Sequence, residues 1–160
     1  MRAHKPVPCT RTRYAKATLK VGGWPVREPQ IACLIAVMVG EGSDAAWNPL
    51  DTTLKRPGAT PYNSFGTNNA LHVWDYVSAA SGVSATVETM RQPNMASWVD
   101  LFTRKRVTSE QLAAAFATVA WAYVGDKLPE EIVAAWATGS RSYRDDARAA
   151  VKGPGDWPYR

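Results

Sequence analysis

The chain carries little of the equipment for metal or redox chemistry. Its 160 residues include two cysteines and two histidines. Cys9 and Cys33 stand far apart and in no metal-ligand spacing, and two cysteines do not define a disulfide framework. Cys33 lies inside an apolar run and reads as a small core residue. His4 and His72 are equally separated, and no C-x-x-C, H-x-x-E-H or Gly-rich phosphate loop occurs. The sequence therefore predicts no metal and no cofactor. Membrane signals are missing as well. The apolar run Ile31–Val39 is far shorter than the roughly 20 residues a membrane helix needs. Arg2, His4 and Lys5 open the chain, but no apolar signal-peptide core follows them, so the expectation is synthesis in the cytoplasm without a membrane span. No internal repeat is visible.

Hydrophobic residues make up 46% and charged residues 21%, ordinary usage for a folded chain long enough to bury a core. Seven tryptophans are many for this length, and they are spread from Trp24 to Trp157. That spread argues for several structural or ring-stacking roles. A formal net charge of +5 favours acidic partners: nucleic acid, anionic lipid, or the anionic polymers of a bacterial wall.

Turn formers and apolar periodicity divide the chain. Residues 1–25 are expected to be a basic, partly extended N-terminal arm with Tyr14 and Leu19 as anchors. Residues 26–152 form the domain, and 153–160 a C-terminal tail. A first helix is predicted over Pro29–Glu41, since proline suits a first helical turn and Leu34, Ile35, Met38 and Val39 recur at the helical period. Residues 42–77 are rich in turn formers, with short strands expected around Leu50–Leu54 and Leu71–Tyr76. So long a connection without a helix is usually functional or disordered, and Tyr62, Phe65, Trp74 and Tyr76 favour the former. Ser78 offers an N-cap to a helix burying Val83, Val87 and Met90, and Gly82 in its first turn signals close approach of another backbone or a ligand. A short helix Met95–Phe102 follows, then the basic triplet Arg104–Arg106. Thr108-Ser109-Glu110-Gln111 fits a capping box opening a helix that buries Leu112, Phe116 and Val119 and runs on to Tyr123. Further helices are expected from Pro129-Glu130-Glu131, with Ile132, Val133 and Trp136 inward, and over Tyr143–Val151. The predicted fold is mainly α, with five to seven helices and one small β or loop element after the first long helix.

That long helix ends on a single carboxylate, Glu41, followed by Gly42, a plausible helix stop. Glu41 shares the stripe of Leu34 and Met38, where desolvation raises a carboxyl pKa, as a general acid working near neutral pH requires. The competing reading is a solvated glutamate at a helix end. Glu41-Gly42-Ser43 followed by Trp47-Asn48-Pro49-Leu50-Asp51-Thr52-Thr53 resembles a Glu-Gly-…-Asn-Pro-Leu-x-Thr-Thr pattern of phage and actinobacterial lysozyme-like proteins. Pro57-Gly58-Ala59-Thr60, Tyr62-Asn63, Tyr76-x-Ser78-x-x-x-Gly82, Ala85-Thr86 and Thr89-Met90 extend the likeness over about residues 30–92.

The resemblance implies a lysozyme-like helical domain acting on the glycan strand of peptidoglycan, as a glycosidase or a lytic transglycosylase. It implies that Glu41 is the general acid and that Tyr76 lines the cleft. By the same likeness Asn48 and Asn63 would bond sugar groups, Trp47, Tyr62 and Trp74 would stack on sugar rings, and Thr53 would contact substrate. Asp44, Asp51 and Asp75 are candidates for a second carboxylate. Asp51 is favoured, as an acid brought opposite Glu41 across a cleft, with a simple turn-forming role as the alternative. Tyr62, Trp74 and Tyr76 are expected to line one cleft with Asn48 and Asn63, while Trp121 and Trp136 belong to the core.

As a phage endolysin or tail-associated lysozyme, the chain would reach the wall through a holin pore or within a virion, among other virion proteins. Three other readings stay open. One is a structural phage protein that binds glycans without cutting them. Another is a nucleic-acid-binding protein using Arg11–Lys20 and Arg104–Arg106, although charge alone supports only non-specific phosphate contact. The last is an interaction domain with neither role.

Overall fold

The computed structural model describes residues 8–119, 121 and 141–159. Its helices are α1 (Arg11–Gly22), α2 (Glu28–Glu41), α3 (Ala79–Met90), α4 (Ala96–Phe102), α5 (Ser109–Phe116) and α6 (Arg141–Arg148). Between α2 and α3 two strands, β1 (Thr60–Phe65) and β2 (Leu71–Asp75), form an antiparallel hairpin. The fold is mainly α with one small sheet. The helix expected from Pro129, with Ile132, Val133 and Trp136, lies outside the described residues, as does Tyr123. Among the described residues, no helix is long and apolar enough to cross a membrane.

Helix α2 is the axis of the core. Every residue from Gln30 to Met38 is buried, a pattern expected of a helix covered on all sides. Around it stand α1, α5 and α6, with α3 packed on α1, and Trp98, Phe102, Phe116 and Trp121 form an edge-to-face aromatic cluster. Burial also pushes the thiol of Cys33, inside α2, up to about 12, so it stays protonated and acts as a small apolar side chain.

The expected extended arm is instead largely helix α1. Thr10 caps it by accepting from the Arg13 N–H, and Tyr14, Ala15, Ala17, Thr18 and Leu19 point into the core. Arg13, Lys16 and Lys20 occupy the outer face, and this basic stripe disguised an amphipathic helix as a charged terminus. The tail is structured too. Thr10 pairs with Ala150 as an antiparallel bridge, and Val151 and Trp157 are buried.

Two further expectations are corrected. Leu50–Leu54 is not a strand; β1 lies later, at Thr60–Phe65, because side chains described below hold residues 48–54 in an irregular turn. The capping-box helix forms at Thr108 as predicted but stops at Phe116. There Thr118 donates its hydroxyl to the Ala115 carbonyl at 2.7 Å, and its N–H bonds the same carbonyl in a tighter turn. Val119 and Trp121 nonetheless stay buried, so the apolar pattern outlasts the helix.

Candidate active site around Glu41 and Asp51

The site is built at the C-terminal end of α2. Gly42 takes a left-handed conformation (φ 59°) and returns its N–H to the Met38 carbonyl, stopping the helix directly after Glu41. The chain then turns back through Asn48, whose side chain is fully buried. The Asn48 Nδ2 group donates to the carbonyls of Thr52 and Trp74, each at 2.9 Å. Its Oδ1 accepts from the Thr52 N–H at 2.8 Å and lies 2.9 Å from Thr52 Oγ1. Every donor and acceptor position of the amide is thereby used, and the turn 48–52 is fastened to β2. Tyr76, also buried, donates to the Leu54 carbonyl at 2.6 Å and sits 2.9 Å from Thr52 Oγ1. The indole of Trp74 donates to the Thr53 carbonyl at 3.1 Å.

The product of this bracing is the placement of Asp51. Its backbone is left-handed (φ 53°), a conformation that aspartate tolerates better than most residues. Its half-buried carboxyl is in hydrogen-bonding contact with Ser43 and with Glu41. Burial raises the Asp51 pKa above the usual carboxylate range, and the hydrogen bonds from Ser43 and Glu41 offset part of that rise. Two carboxyls can share a hydrogen bond only if one carries a proton.

A second layer holds the loop from behind. Trp47 is buried with φ 52°, an outlier for so bulky a residue. Its N–H donates to the Lys152 carbonyl at 2.7 Å, its indole to Pro154 at 2.8 Å, and its carbonyl accepts from Tyr14 OH at 3.0 Å. Gly82 of α3 lies directly beneath that carbonyl; an added Cβ would collide with it. The close approach expected at Gly82 is therefore to a backbone. Asp75 accepts from the Ala46 N–H at 2.6 Å, and Asp44 pairs with Lys152 at 2.9 Å, so neither acid joins Glu41.

The expected site residues thus separate into layers. Glu41, Ser43 and Asp51 come together, with Asp51 beside Glu41 instead of facing it across a gap. Trp47, Asn48 and Tyr76 lie in the interior, where they fix the loop. Trp74 is nearly buried (9% exposed), with Lys55 Nζ 5.2 Å from the centre of its ring. Thr53 and Asn63 are exposed, and Tyr62 is 43% exposed on β1, whose six residues all face solvent. The five residues expected to line one cleft therefore do not share a surface. Ser43 was not anticipated, although its position two residues after Glu41 was a usable signal. Thr52, the hub between Asn48 and Tyr76, had none. Among the described residues, no group of three or more His, Cys, Asp or Glu gathers as a metal site. A scan of protein-family models and searches of curated proteins and solved structures return no match to this chain.

Proposed function

We propose that the protein cleaves the glycan strand of peptidoglycan, with Glu41 as the general acid. The observation that carries this reading is the Glu41–Asp51 pair: two carboxyls brought side by side at the end of a buried helix. Such pairs separate two carboxyls into a proton carrier and an acceptor. Asp51 lies beside Glu41 and not across a substrate-wide gap from it, so it is not placed to act as nucleophile or water-activating base from the opposite sugar face. This placement favours single-acid chemistry of the lytic transglycosylase type. Glu41 gives its proton to the glycosidic oxygen, and the bond to the sugar's anomeric carbon breaks. A hydroxyl of the same sugar closes onto that carbon and returns its proton to the Glu41 carboxylate. Asp51 and Ser43 hold Glu41 in register.

The exposed hairpin suits a polymer substrate. Tyr62 and Phe65, 43% and 40% exposed, offer apolar faces to sugar rings, with Asn63 and Thr53 as polar contacts. The net charge of +5 suits an anionic wall. Delivery through a holin pore or as part of a virion accords with the same reading.

Glu41→Gln keeps shape and removes the transferable proton. It is expected to leave the fold and glycan binding intact while lowering clearing of cell-wall suspensions by about 10²–10⁴-fold. Equal clearing by wild type and variant removes Glu41 from the chemistry. Glycan binding without clearing by either protein transfers the assignment to a non-cutting glycan-binding role. Mass spectrometry of the products tests the single-acid step: internally closed sugar ends lack the water that hydrolysis would add.

A further inference from the structure

The loop that carries Asp51 is gripped at both ends by one helix. Along α3, Gly82 and Thr86 stand about one turn apart, and so do Ser84 and Glu88. The first pair holds the start of the loop. Gly82 lies under the Trp47 carbonyl, and Thr86 Oγ1 is 3.2 Å from the Tyr14 hydroxyl that donates to that carbonyl. The second pair holds its end. Arg56 Nη2 donates to Ser84 Oγ at 2.9 Å and forms an ion pair with Glu88.

The Arg56 side chain is only 20% exposed, and its Nε is buried without an acceptor. A guanidinium withdrawn this far from water is weak grounds for stability, since apolar side chains of like volume often replace such a charge at no loss. Its place in the network gives it another use. The phenol of Tyr76 has a pKa raised by burial, against which the Thr52 hydrogen bond and the Arg56 charge both act. Tyr76 donates to the Leu54 carbonyl and contacts Thr52, and Thr52 is tied to Asn48. Residues on both sides of Asp51 are therefore joined through that phenol, and Arg56 fixes the far end of the chain of contacts on α3.

We propose that Arg56 is a positioning residue for the Glu41–Asp51 pair: its bonds to Ser84 and Glu88 hold residues 52–56 on α3, so that Asp51 stays beside Glu41 and partly out of water. It acts through Tyr76 and Thr52. Its consequence for catalysis rests on the lytic reading above; its hold on Asp51 does not.

The test is a carbon-13 NMR titration of the Asp51 side-chain carboxyl in the full chain, with melting, glycan binding and wall clearing measured on the same samples. Arg56→Met frees the end of the loop and is expected to move the Asp51 pKa down, toward the ordinary carboxylate range, as solvation returns. Loss of a nearby positive charge alone would move it up, so the sign separates placement from simple electrostatics. Glu88 is 53% exposed and stays solvated without its partner, so the variant leaves no buried charge behind. Ser84→Ala changes no charge and should give a smaller fall in the same direction. Arg56→Lys keeps the charge without the planar guanidinium and should titrate between wild type and Arg56→Met. In Arg56→Met, clearing should slow by up to about 10²-fold at unchanged glycan binding. An Asp51 titration that is unchanged or shifted upward in folded Arg56→Met, or unchanged in Ser84→Ala, would overturn the proposal, even if the melting temperature fell. If wild type itself does not clear walls, the lytic reading fails, while the direction of the Asp51 shift still decides the role of Arg56.

Discussion

Asp51 combines a left-handed backbone, partial burial and contact with a second carboxyl. Its pKa is raised in the folded state, so between its ordinary value near 3.8 and the higher folded value the native protein binds more protons than the unfolded chain. Stability from this residue is therefore full below the ordinary value and falls as pH rises through the folded one. Asp51→Asn removes the titration while keeping a side chain that accepts the left-handed region. The melting temperature of the variant minus that of wild type is expected to increase from pH 4 to pH 7. A difference that stays flat with pH would mean that Asp51 is not the titrating group. The same substitution leaves Glu41 beside a neutral amide in place of a second titrating carboxyl, so the pH profile of wall clearing should change in shape as well as height. Ser43 acts on the same carboxyl, and Ser43→Ala should move the profile without altering the fold.

At the scale of elements, the loop between α2 and α3 depends on a close approach that only glycine allows. Gly82 faces the Trp47 carbonyl from the first turn of α3, and Trp47 in turn is held in a strained backbone state. Gly82→Ala sets a methyl against a fixed backbone oxygen and should destabilise the protein by about 1–3 kcal/mol, read from denaturant midpoints at unchanged slope. An unaffected midpoint would show that the two elements are not in register. The sequence announced Gly82, the caps Ser78 and Thr108, and the span of α2, because each depends on local chemistry within a turn or two. It did not announce how residues 48–54 are held. Asn48, Trp47 and Tyr76 looked like ligand contacts, since an amide and two aromatics in a turn-rich segment satisfy a sugar and a buried network equally well. Only the tertiary partners distinguish the two uses: Thr52 and Trp74 for Asn48, Pro154 for Trp47, Leu54 for Tyr76. Glu41 and Asp51 were recognisable as a pair, yet their contact depends on that same network.

Across the whole molecule, the two ends of the described chain meet behind the site. The Val151 N–H bonds the Cys9 carbonyl, Arg11 bonds Ala149, and Trp157 packs between Tyr14 and Trp47. A charged helix and a proline-rich tail gave no local sign of this closure, because its partners lie more than 100 residues apart in sequence. Trp157 thus connects α1, the tail and the loop that places Asp51, although it touches neither carboxyl. Trp157→Ala removes a side chain that is 6% exposed and should cost about 3–5 kcal/mol. For a chain of 160 residues that is a fall of roughly 10 °C in melting temperature. Its effect on lysis should exceed its effect on glycan binding, since lysis needs Asp51 held beside Glu41 whereas binding needs only the exposed face of the hairpin bearing Tyr62 and Phe65. Below its own melting temperature the variant should therefore bind wall glycan nearly as wild type does while clearing it more slowly. Equal losses of binding and clearing would show that the tail supports the hairpin as much as the carboxyl pair.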